Sequence, residues 1–208
     1  MKTIVYVDGF NLYYGAVKGT PYKWLNIRTL CNLLLPKNQI IQIKYFTALV
    51  TSRPSDPEQA NRQRLFLRAL QTIPNLAIIY GHFLTHEVMM LAANPLPGQP
   101  KYVRVIKTEE KGSDVNIAAH MVNDGHRGRY EVAILISNDS DLVEPVRIVR
   151  NELQLPVGVL NPFIRTPSFE LRKHATFVKP IRAGVLSVSQ FASELQDQSG
   201  TFHKPPGW

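Results

Sequence analysis

Four aspartates in three separated motifs carry the chemistry this sequence can be expected to do. Asp8 closes the apolar run Ile4-Val5-Tyr6-Val7 and is followed by Gly9, Phe10 and Asn11. Asp114 lies in Glu110-Lys111-Gly112-Ser113-Asp114-Val115. Asp139 and Asp141 close a second apolar run, Ile134-Leu135-Ile136-Ser137-Asn138-Asp139-Ser140-Asp141. A carboxylate just past the end of a buried strand is costly unless it binds something. In open α/β sheets the strand carboxyl ends are where ligands bind. Several acids gathered there raise one another's pKa, and a divalent cation relieves the repulsion. Oxygen donors with no thiolate and no clear histidine set suit Mg²⁺ or Mn²⁺. One or two such ions activate water and neutralise charge developing on a phosphodiester. Each motif also has a plainer reading: Asp8-Gly9 as a turn, Asp114 as a helix-start residue, Asp139 and Asp141 as N-caps. Their joint arrival at one sheet edge favours the cation.

The surrounding pattern supplies that edge. Thr3–Val7 and Val132–Ile136 are continuous apolar runs and predict fully buried strands. Alternation over Ile40–Val50 predicts a second strand, Leu76–Tyr80 a third and Val157–Leu160 a further one, with Phe177–Val178 as a short addition. Helical periodicity is expected near Asn26–Leu35 before Pro36, over Glu58–Ile73, Ser113–Asn123 and Asp141–Asn151. Ser113 is a candidate cap, and Asp114 in the first turn suits the helix dipole. Two less regular β segments, near Phe83–Leu91 and Tyr102–Lys107, flank the turn-rich stretch Asn94–Pro100. Strands alternating with helices predict a parallel, three-layer α/β sheet. Asp8 and Asp139 then lie at strand carboxyl ends. A helix antiparallel to the strands brings Asp114 to the same edge, and a turn brings Asp141.

The chain has 208 residues and a formal net charge of +8, with a pI near 9.7. That balance favours a polyanionic partner, nucleic acid before others. The single cysteine, Cys31, excludes an intramolecular disulfide and a multi-cysteine zinc site. A reducing, cytoplasmic setting is compatible with it. No apolar stretch approaches the ~18 residues of a transmembrane helix, so no membrane partner is expected, and no cleavable signal pattern opens the chain.

Other chemistries lack their motifs. There is no phosphate-cradling glycine loop, no nucleophile elbow and no zinc-binding histidine pair. His82 is the one histidine placed near the pocket, where a strand-end surface role is its plainer reading. A phosphatase of the haloacid-dehalogenase type needs a second aspartate two residues after the first, where this chain has Phe10.

Taken in order, Val7-Asp8-Gly9-Phe10-Asn11, Glu110-Lys111-Gly112-Ser113-Asp114 and Ser137-Asn138-Asp139-Ser140-Asp141 resemble the NYN domain family of PIN-like metal-dependent ribonucleases, especially its LabA-like branch. The resemblance implies a PIN-like fold over residues 1–185, with a central parallel sheet of order 3-2-1-4-5. Residues 186–208 are a C-terminal extension, and the polar, proline-bearing composition of Gln196–Trp208 predicts flexibility toward its end. It implies Mg²⁺- or Mn²⁺-dependent RNA cleavage, with Asp8, Asp114, Asp139 and Asp141 as metal-site carboxylates. By the same match Asn11 orients Asp8 or a water, Ser137 supports the site by hydrogen bonding, and Lys111 meets a phosphate or balances the acids. The family usually has glycine at Asn138, which implies a left-handed turn or a close backbone approach there, and asparagine tolerates the turn. Candidate RNA contacts come from position: Arg53 after the second strand, Arg62, Arg64 and Arg68 on the next helix, and Lys107 on a β segment. Tyr13, Tyr14 and Tyr22 could stack bases or pack in the core. The partner expected is RNA, and a homodimer is compatible with the chain. The competing reading is a weak or silent domain that serves as an RNA- or protein-binding module.

Overall fold

The computed structural model describes residues 1–94, 98, 100–163 and 168–208. Elements follow in chain order: β1 Lys2–Asp8, α1 Gly9–Leu12 running into a π turn at Tyr13–Val17, α2 Ile27–Leu34, β2 Gln39–Thr47 and α3 Gln59–Gln71. Then come β3 Leu76–Tyr80, β4 His82–Leu91, β5 Tyr102–Lys111, α4 Ser113–His126 and β6 Val132–Ile136. A short 3₁₀ turn at Ser140–Leu142 leads into α5 Val143–Arg147 and a π turn at Ile148–Glu152. β7 Val157–Asn161, α6 Phe169–His174, β8 Phe177–Pro180, α7 Ala183–Ser187, β9 Glu194–Asp197 and β10 Gly200–His203 complete the described chain.

β1 is buried from Thr3 to Asp8, and such a strand needs a neighbour on each edge and a layer on each face. It has both. β2 and β6 pair with it in parallel. Val5 and Val7 join a core with Trp24, Ile27 and Leu70 on one face. Ile4 and Tyr6 join Ile117, Met121 and Val149 on the other. The main sheet has the order β3-β2-β1-β6-β7-β8. This corrects the expected 3-2-1-4-5: a sixth parallel strand, β8, adds to β7, and the β4–β5 ribbon takes two places in the chain count. The two segments expected to be less regular form one antiparallel ribbon, in unbroken register from His82↔Lys111 to Leu91↔Tyr102. Within its expected turn-rich tip, Pro95, Leu96, Pro97 and Gln99 lie outside the described residues.

Helix α4 carries Asp114, and a buried polar knot fixes that helix to the sheet. Asp124 on α4 is wholly buried. The Tyr6 hydroxyl donates to its Oδ2 at 2.7 Å, and the Lys44 ammonium donates to the same oxygen. Arg129 donates to its Oδ1 at 2.9 Å. Burial alone would raise the Asp124 pKa, but these three donors hold it below the ordinary carboxylate value.

The expected flexible extension is folded between Glu194 and His203. β9 and β10 make a hairpin in which Phe202 is buried, and Arg68 grips Asp197 through two hydrogen bonds of 2.7 Å. Aromatic burial and a bidentate ion pair outweigh the polar composition that suggested disorder. Among the described residues no helix is long and apolar enough to cross a membrane.

Candidate metal centre

Asp8 ends β1 and caps α1, accepting the Asn11 backbone N–H on Oδ1 at 2.9 Å. Its second oxygen, Oδ2, accepts the Ser137 hydroxyl at 3.0 Å. The Ser137 oxygen in turn accepts the Asp139 backbone N–H at 3.0 Å, so one hydroxyl ties the ends of β1 and β6 together. Asp139 caps the 3₁₀ turn, accepting the Asp141 N–H on Oδ1 at 3.0 Å. Asp114 enters from the first turn of α4, after Gly112 with its left-handed backbone at φ +99°. Turn, cap and ligand readings are therefore compatible: the caps aim the carboxylates.

One carboxylate oxygen from each of Asp8, Asp114 and Asp139 lies within 4.8 Å of the others. Asp8 is 5% exposed, and Asp114 and Asp139 are partly buried. Burial pushes the Asp8 pKa up to about 6, against the pull of its bonds to Asn11 and Ser137, with the charges of Asp114 and Asp139 adding to the rise. Asp114 is likewise pushed to about 6, first by burial and then by Asp139, Glu110 and Asp141. Three converging hard-oxygen donors, with the ionised forms of Asp8 and Asp114 disfavoured, fit a divalent cation of the Mg²⁺ or Mn²⁺ kind.

Asp141 stands outside this trio. It is exposed, and its contact with Asp139 runs through its own backbone N–H. The other expected site residues fall into two groups. Ser137 hydrogen-bonds both sides of the acid cluster, as described above. Asn11 acts twice: its N–H orients Asp8, while its side-chain oxygen accepts the Asn138 N–H at 2.8 Å. Asn138 has no left-handed backbone, so of the two expected alternatives the left-handed turn is overturned. Its side-chain oxygen instead accepts the Ser168 N–H at 2.6 Å, holding the start of α6. Lys111 ends the ribbon and pairs with Glu109 at 3.5 Å. Lys107 pairs with the same residue at 2.8 Å. Arg53 and Arg64 are exposed, and Arg62 pairs with Asp56. Arg68 belongs to the last turn of α3 and is held by Asp197. His82 opens β4 opposite Lys111 and is exposed.

Sequence reasoning missed Glu110. Its Oε1 accepts the Ser113 N–H at 3.2 Å and hydroxyl at 2.9 Å, so it braces the start of α4 and adds negative charge near Asp114. The signal was its spacing, three residues before Ser113. Ser113 itself is the first helical residue, and Gly112 takes the cap position expected for it.

The NYN domain family model matches residues 2–179. A curated relative, 6-hydroxy-3-succinoylpyridine 3-monooxygenase HspA of Pseudomonas putida, is 27% identical over an alignment covering all of this chain and 75% of its own length. A crystal structure of VPA0982, a protein of unknown function from Vibrio parahaemolyticus, superposes with a TM-score of 0.58 at 17% identity, covering 88% of this chain and 93% of that one. The last likeness concerns the fold.

Proposed function

From the premise that the chain belongs to the NYN domain family, we propose that it is a metal-dependent endoribonuclease of the family's LabA-like branch. The observation that carries this reading is the convergence of Asp8, Asp114 and Asp139 at the carboxyl edge of the sheet. When bound there, Mg²⁺ or Mn²⁺ supplies a water of lowered pKa and neutralises charge on a phosphodiester. The chain's own part is positioning. Asp8, Asp114 and Asp139 would hold the ion, and Asp141 guards the outer rim. Ser137 keeps Asp8 and the Asp139 backbone in one hydrogen-bonded unit, so neither carboxylate turns away. Exposed Arg53 and Arg64, with Arg62 and Lys107 beside their acidic partners, offer cations to the RNA backbone. The net charge of +8 draws a polyanion to an acidic centre that would otherwise repel it.

The test is cleavage of a mixed-sequence RNA with Mn²⁺ by the full chain and by Asp8→Asn and Asp139→Asn. Loss in both variants supports the assignment, and equal cleavage in all three proteins overturns it. Manganese binding without cleavage returns the protein to the class of binding modules.

A second reading is favoured by the full-length likeness to the Pseudomonas putida enzyme. On that reading the chain oxygenates an aromatic acid and needs a reductant for O₂. Oxygen uptake with 6-hydroxy-3-succinoylpyridine and a reduced nicotinamide tests it, and absence of uptake eliminates it.

A further inference from the structure

A cavity of about 280 Å³ begins at Gly9, the residue after Asp8, and runs between α1, the end of β2 and the first turns of α3. Its chemistry differs from that of the acid cluster beside it. Four cations, Lys18, Lys23, Arg53 and Arg62, line it against the one carboxylate of Asp56. Arg62 is paired with Asp56 and Lys18 lies 4.6 Å above the Tyr14 ring, whereas Arg53 is exposed at the rim. The surplus of positive charge suits an anion.

The walls are aromatic. The rings of Tyr13 and Tyr14 meet edge to face at 5.3 Å on one side, and Phe66 and Trp208 lie 5.6 Å apart on the other. Such walls accept a flat ring by stacking or edge contact. Tyr45 provides the floor. It is 5% exposed and lines the cavity. A phenol hydroxyl on a cavity wall can donate to a ligand atom there and accept from it. A Cβ on Gly9 would lie 2.8 Å from that hydroxyl, so the glycine keeps its approach open. Asp8 is close enough for its charge to act on the Tyr45 hydroxyl, which places the cavity directly beside the acid cluster.

We propose that this cavity is a binding site for a planar heteroaromatic ring bearing an anionic group. The Tyr45 hydroxyl hydrogen-bonds a polar atom on the ring edge, Tyr14 and Trp208 flank its faces, and Arg53 meets the anion. Two sources share this chemistry: a nucleotide unit of a nucleic acid, and a free heteroaromatic acid. The site stands whether or not the acid cluster cleaves RNA.

The experiment is isothermal titration of the full chain in EDTA, which keeps the metal site out of play. The probes are uridine and adenosine 5′-monophosphates and 6-hydroxynicotinate, with Tyr45→Phe and Arg53→Gln as variants. Binding of one probe class with Kd below about 1 mM is expected, and the class that binds identifies the source. Tyr45→Phe removes one hydrogen bond and should weaken binding about tenfold with an unchanged urea midpoint, and Arg53→Gln should weaken it at least as much. Two results overturn the proposal. One is no heat from any probe at about 10 mM, which lies far above a specific site's range. The other is wild-type affinity in both variants.

Discussion

Replacing Asp8 by Asn should stabilise the metal-free protein while weakening its hold on Mn²⁺. Asp8 titrates at about 6 in the fold rather than at 3.8, because burial and the neighbouring acids disfavour its charge. The folded state therefore keeps a proton that the unfolded chain has already released. Stability falls as pH rises from about 4 to about 6, and the loss is complete above that window. At about 1.36 kcal/mol per pH unit between the two pKa values, the cost at pH 7.5 is on the order of 3 kcal/mol. Asparagine stands in for the neutral acid and does not titrate. Asp8→Asn should thus gain about 3 kcal/mol over wild type at pH 7.5 and only about 1 kcal/mol at pH 4.5. Urea unfolding in EDTA at both pH values measures the difference. With Mn²⁺ at 100 times its Kd the wild type should recover about 2.7 kcal/mol, and the variant much less. An Asp8→Asn protein no more stable than wild type at pH 7.5, or one with the same gain at both pH values, refutes the reasoning.

Three further outcomes are expected. Asp124→Ala strands the buried Lys44 ammonium beneath α4 and should cost about 3–5 kcal/mol in urea unfolding, with Mn²⁺ affinity falling as Asp114 loses its anchor. Gly9→Ala drives a methyl to 2.7 Å from the Phe46 carbonyl oxygen, a backbone atom that cannot yield. A loss of about 1–3 kcal/mol and weaker Mn²⁺ binding should follow, read by thermal shift with and without the ion. Asn138→Gly removes the acceptor of the Ser168 N–H and relieves no left-handed backbone, so it should destabilise by about 1 kcal/mol rather than improve the site.

The strands and the convergence of Asp8, Asp114 and Asp139 were legible because burial on both faces writes a continuous apolar run, and the strand ends follow from it. What escaped the sequence was set by distant partners. Arg68 reads as a free cation on a helix, yet its carboxylate is Asp197, 129 positions away. Asn138 reads as a substitute for a turn glycine, yet its oxygen serves the backbone of Ser168. The polar C-terminal extension reads as flexible toward its end, yet one buried ring, Phe202, anchors it. Asp141 stands outside the trio for a local reason: capping by Asp139 captures its N–H, and its exposed side chain reaches Asp114 through its charge alone.

The pairing of β1 with β6 joins Val7 to Ile136 across most of the chain. At synthesis rates of about 5–20 residues per second, the first strand waits roughly 6–25 s on the ribosome before its second neighbour exists. During that interval Asp8 has neither Ser137 nor Asp139 beside it. Long-range parallel pairing is also slow to nucleate, since loop closure must precede its reward. The acid cluster is thus a late product of folding, and any nascent or truncated chain that stops short of β6 carries Asp8 and Asp114 without the centre they build.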